Sequence, residues 1–115
     1  MIRRSIRHAL APATALFLAT APPAYPVVAT STSYCLQGRM ADGSWVRWGS
    51  VASNWHPLGT RIRVTRPRSG FFGRRTFVVR DRIGWGTSLD FWHSSCSASR
   101  SWGRRVVRYR VLGRD

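Results

Sequence analysis

Two segments repeat with a period of two residues, and that period restricts the fold more than any other feature of the chain. Arg61-Ile-Arg-Val-Thr65 alternates charged or polar residues with β-branched apolar ones. Val106 to Leu112 places Val107, Tyr109 and Val111 on one face and Arg108 and Arg110 on the other. Successive side chains of a strand point to opposite faces, so each segment reads as a half-buried strand. Ser33-Tyr-Cys-Leu36, Ser44-Trp-Val-Arg-Trp48, Thr76 to Arg80 and Leu89-Asp-Phe91 read as further short strands. Gly49-Ser-Val-Ala52 leads into an irregular segment, and Pro67 to Gly73 forms the loop of a hairpin. Turns fall at Gly38 to Gly43 and Asn54 to Thr60. Ser94 to Trp102 suits one or two helical turns, with Ser at the start and Gly103 as the stop. The expected fold is all-β: a small, closed barrel of about six strands, closure being what removes exposed edges.

Acid chemistry has few candidates. The chain contains no Glu and no Lys, and its carboxylates are Asp42, Asp81, Asp90 and Asp115. Two of them sit in one stretch, Phe77 to Phe91, which reads as strand, Gly-containing turn, strand. Asp81 follows the apolar run Phe77 to Val79, and Asp90 lies between Leu89 and Phe91 with Trp92 next. A carboxyl beside apolar groups has its pKa raised by desolvation, which is what a general acid at neutral pH needs. Asp90 therefore has the better neighbours. Asp81 lies between Arg80 and Arg82, but adjacent residues of a strand point to opposite faces, so those cations need not touch it. Each Asp also has a purely structural reading, as an acceptor for backbone N–H groups in a turn.

The first residues look like an address. Arg3, Arg4 and Arg7 precede the small apolar run Ala9 to Ala21, which is too short to span a bilayer and reads as a secretory signal peptide. Ala19-Thr-Ala21 is one cleavage match, but Pro22 would follow it. Val27-Val-Ala29 before Thr30 satisfies the small-residue rule, so the expected division is a leader over 1–29 and one domain over 30–115, with Pro22 to Ser33 as leader remnant and flexible start. Cys35 and Cys96 are most simply a disulfide outside the cytoplasm. A two-thiol metal site completed by His56 and His93 lacks the usual ligand spacing, and no cofactor or metal is expected. No later stretch is long and apolar enough to anchor the chain, so the expected product is an exported, soluble monomer.

The formal charge is +15, and losing Arg3, Arg4 and Arg7 leaves 15 − 3 = +12, all of it from Arg. Such a surface attracts polyanions: nucleic acid, anionic lipid or the anionic polymers of a cell wall. No nucleic-acid-binding motif accompanies it.

Tyr34-Cys-Leu-x-Gly38, the Gly-x-Val-Ala segment Gly49 to Ala52, Pro57-Leu-Gly-Thr-Arg61, Val79-x-Asp81, Leu89-Asp-Phe91 and Trp102-Gly-Arg-Arg105 occur in that order. Together they resemble the three-aspartate (3D) domain of bacterial cell-wall proteins. That domain is related to rare-lipoprotein-A-like proteins and to the catalytic barrel of membrane-bound lytic transglycosylases. The resemblance covers roughly Ser33 to Leu112 and implies a six-stranded double-psi β-barrel acting on peptidoglycan. Asp81 matches the second signature acid, and Asp90 the third, which the lytic relatives use as acid and base. The segment holding the first is about two residues shorter here and offers Asn54. Ser53 aligns where the rare-lipoprotein relatives carry a His, with His56 nearby but shifted.

The resemblance points to cleavage of glycan strands in the manner of a lytic transglycosylase or glycosidase. Asp90 would be acid and base, Asp81 would orient or stabilise charge, and Asn54 would hydrogen-bond the sugar. Trp48, Trp55, Trp85 and Trp92 lie near the expected site loops and are candidates to stack on sugar rings, with His56 alongside; Trp85, in the Gly-flanked turn, is expected to be the most exposed. Trp45 and Trp102 are expected to be structural, because a small barrel gains much from each buried aromatic. Two other functions fit the same features: a wall-glycan-binding barrel without turnover, which the missing first Asp favours, and a polyanion binder using the Arg surface.

Overall fold

The computed structural model describes residues 26–114. Six strands, β1 (Val27–Tyr34), β2 (Ser50–Ala52), β3 (Thr60–Arg66), β4 (Thr76–Asp81), β5 (Leu89–Trp92) and β6 (Arg105–Arg114), close into a barrel in the order β1-β5-β2-β4-β3-β6. One short helix, α1 (Cys96–Trp102), joins β5 to β6. The β1–β5 and β2–β4 pairs are parallel and the rest antiparallel. The leader expected over residues 1–29 lies, up to residue 25, outside the described residues.

Alternation predicts β3 and β6 well. Ile62, Val64, Val107 and Tyr109 point inward and are fully buried, while the intervening arginines face out. The barrel closes around Phe71, which stacks on Phe91 at 4.9 Å between centroids and meets the Trp102 ring edge-on at the same distance. Gly70 sits at φ +70, and a Cβ there would collide with the Arg74 carbonyl, so the turn that delivers Phe71 into the core requires glycine. Helix α1 begins as its composition suggests: the Ser95 hydroxyl caps it by accepting from Ala98 N, and Gly103 ends it with positive φ.

Three expectations need correction. The first strand, β1, already runs from Val27, ahead of the expected start near Ser33, and it pairs with both β5 and β6. Its inward residues are small: Ala29, and Ser31, whose hydroxyl accepts from Trp102 Nε1 and donates to the Arg105 carbonyl. Small residues are what leave room for the tryptophan, and they also disguise the strand as a flexible leader remnant. Ser44 to Trp48 is not a strand; only Arg39 and Trp45 form a lone bridge there. Asp42 folds that segment into a turn by accepting from both the N–H and the hydroxyl of Ser44. Trp45 is accordingly 54% exposed, whereas Trp102 is structural. Finally, Ser50–Ala52, expected only to lead into an irregular segment, is itself the buried strand β2.

Cys35 and Cys96 form a disulfide that ties the end of β1 to the start of α1. Their sulfurs are thereby withdrawn from any thiolate metal site. No helix among the described residues is long and apolar enough to cross a membrane.

Candidate functional site

Asp81 and Asp90 are not on neighbouring strands. β2 lies between β4 and β5, parallel to the first and antiparallel to the second, and Ala52 is the ladder partner of both Asp81 and Asp90. Asp90 is in turn the partner of Thr32 on β1. The result is a row across four strands, Asp81–Ala52–Asp90–Thr32, with the two acids separated by a single methyl. At about 4.8 Å per strand their Cα atoms stand roughly 10 Å apart.

A ladder irregularity brings Asp81 into the row. Val51 pairs with Val79, but Ala52 pairs with Asp81, skipping Arg80. Strict alternation would put Asp81 on the interior side with Phe77 and Val79. The extra residue re-aims it, which is a common use of a β-bulge.

Each acid has a different setting. Asp81 Oδ1 accepts from the N–H groups of Ala41 (3.0 Å) and Arg82 (2.9 Å), and Oδ2 from the Tyr34 hydroxyl at 3.1 Å. Neither flanking guanidinium is spent on it: Arg80 pairs with Asp42 at 3.3 Å, and Arg82 donates to the carbonyls of Ser53 and His56. Asp90 accepts one hydrogen bond, from Thr32 Oγ1 at 2.9 Å, and Thr32 also lies 3.3 Å from Thr87 Oγ1. Burial pushes the Asp90 carboxyl above the usual carboxylate range. The negative charge of Asp81 adds to that, and the Thr32 bond only partly offsets it. Burial, then the charges of Asp81 and Asp90, push the Tyr34 hydroxyl far up, so it stays a donor.

The structure sorts the aromatic candidates by exposure. Trp85 is 89% exposed and Trp55 58%, and Trp48 is partly exposed over Phe71 and His93. Trp92 is only 6% exposed. It packs with Met40, Val46 and Tyr34, and its Nε1 donates to the Leu36 carbonyl, so its face offers no stacking surface. Asn54 clasps Ile83 through both ends of its amide, accepting from Ile83 N and donating to Ile83 O. That clasp, with Arg82, fixes the loop after β2 to the loop after β4. His56 is turned toward the barrel: its Nε2 lies 2.7 Å from the Tyr109 hydroxyl, with burial lowering the pKa of the imidazole and raising that of Tyr109 to about 12. His93 Nδ1 accepts from Ser95 N at the start of α1, a structural role.

Sequence reasoning missed Thr32 and Tyr34 as members of the site. The available signal was the alternation Thr30, Thr32, Tyr34 against Ala29, Ser31, Ser33, which is weak because the inward residues are small and polar.

Comparison with family models, with curated proteins and with solved structures finds no match to this chain.

Proposed function

We propose that this chain is an exported cell-envelope protein whose barrel, of double-psi type, cleaves peptidoglycan glycan strands as a lytic transglycosylase does. Two parallel strand pairs, β1–β5 and β2–β4, within a closed ring of six support the double-psi reading. The disulfide suits an oxidising compartment outside the cytoplasm.

The observation that carries the reading is the division of labour between the two acids. Hydrolysis by a pair of carboxyls needs the second free to activate water or to attack carbon. Both Asp81 oxygens are already engaged by three donors, which suits a fixed negative charge. Asp90 has one partner and a raised pKa, which suits proton transfer. A single carboxyl suffices when the sugar supplies its own nucleophile. Asp90 in its acid form protonates the glycosidic oxygen as the bond to the anomeric carbon breaks. The sugar's 6-hydroxyl then attacks that carbon, and its proton passes to the Asp90 carboxylate, restoring the acid and leaving a 1,6-anhydro end. Asp81 stabilises the developing positive charge, and Trp55 and Trp85 stack on neighbouring sugars.

The test is mass spectrometry of the soluble products released from purified peptidoglycan by the oxidised protein and by Asp90→Asn. Anhydro-muropeptides from wild type alone are expected. Reducing-end products would replace this mechanism with hydrolysis. Sedimentation with the wall and no release would make the barrel a binding module, the role that Asn54 in place of the first signature acid favours.

A further inference from the structure

We propose that the outer face of β3 and β6 is a second binding surface, for a linear phosphate polymer without bases. The antiparallel register sets Arg63 directly opposite Arg110 and Arg66 opposite Arg108. Like charges placed opposite each other in a ladder are destabilising. None of these four described side chains has a hydrogen-bond or ion-pair partner, and the Arg80–Asp42 ion pair lies elsewhere. Packing does not demand arginine here. The buried side of these strands is complete with Ile62, Val64, Val107 and Tyr109, and neutral outward residues would serve the barrel without repulsion.

The geometry points to phosphate. Along β6, Arg108 and Arg110 are two residues and about 6.7 Å apart. On β3, Arg63 and Arg66 are three residues apart, and the register shift after Val64 sets both opposite that pair. Directly opposed residues are about 5 Å apart, so the four arginines make a compact cationic patch. Each guanidinium offers a rigid fork of donors to phosphate oxygens. A tetrahedral phosphodiester presents two oxygens in different directions and so accepts from two forks on opposed strands. A carboxylate also has lone pairs for further donors, but its two oxygens and their lone pairs lie in one plane, so forks from opposed strands meet it less evenly. The exposed apolar residues beside the patch are aliphatic, Val28, Val106 and Leu112, and no tryptophan lies on β3 or β6. Bases bound as a single strand need aromatic faces to stack on, and this face has none. In the ring, β3 and β6 lie on the arc opposite β2, so the phosphate surface is separate from the Asp81–Asp90 row, whose charge would repel such a polymer. The inference does not depend on the glycan reading.

The probe is inorganic polyphosphate, titrated by fluorescence anisotropy against the oxidised protein at several salt concentrations. Three proteins are compared: wild type, Arg63→Ser/Arg110→Ser, and the charge-matched Arg47→Ser/Arg100→Ser, with thermal melts to establish that all are folded. The expected result is about a tenfold loss of affinity for the first variant, with the log–log salt slope shallower by roughly 1.4 for two lost contacts. The second variant should stay near wild type. Equal losses in both variants would overturn the proposal, leaving only net charge. So would binding of polyglutamate as tight as that of polyphosphate, or tighter binding of oligo-dT at matched charge.

Discussion

Ala52 has the smallest side chain in the row and is the ladder partner of both acids. Only a methyl stands between Asp81 and Asp90 in the row, and the two acids are close enough for the charge of one to bear on the other. The raised pKa of Asp90 has a consequence for stability. An unfolded Asp titrates near 3.9, so below that pH both states are protonated and the contribution of Asp90 is fully present. As pH rises through the higher folded value, the buried carboxyl must ionise and that stability is lost. Asp90→Asn cannot ionise. Its melting temperature should therefore match that of wild type near pH 3.5 and exceed it by a few degrees at pH 8, measured by circular dichroism across that range. On the proposed mechanism, glycan release should fall as pH rises through the folded pKa, because only the acid form can protonate the leaving oxygen.

At the scale of elements, β1 links the site to the barrel. Its outward residues Thr32 and Tyr34 hold Asp90 and Asp81, and its inward Ser31 seats Trp102. Val27, Val28 and Ala29 pair with Tyr109, Arg108 and Val107 of β6, and Ala29 is buried. A chain starting at Thr30 lacks that part of the ladder. It should be less stable than one starting at Ala24 by about 2 kcal/mol, from lost apolar burial and hydrogen bonds, read by urea unfolding. Elements with strong alternation, β3 and β6, were legible from the sequence, as were the cap and stop of α1. β1 was not, because an inward face of Ala and Ser carries no hydrophobic period. β2 was too short, at three residues, to show one.

The whole molecule is small enough that one covalent link matters. The Cys35–Cys96 bond closes a separation of 61 residues. On the chain-entropy estimate this is worth about 4 kcal/mol, so Cys35→Ala/Cys96→Ala should lose roughly that much in chemical denaturation.

The sequence by itself determined that the chain is rich in short strands, which faces of β3 and β6 are apolar, that its two cysteines suit a bridge, and that Asp90 sits among apolar neighbours. Periodicity is a local property. It reports which face a residue occupies but not which strand lies alongside. Only the tertiary structure decided that β2 inserts between β4 and β5, that an extra residue in β4 turns Asp81 outward to join Asp90, and that arginines of β3 and β6 oppose one another. Each of these depends on the register between segments far apart in the chain, which is set by long-range pairing and packing.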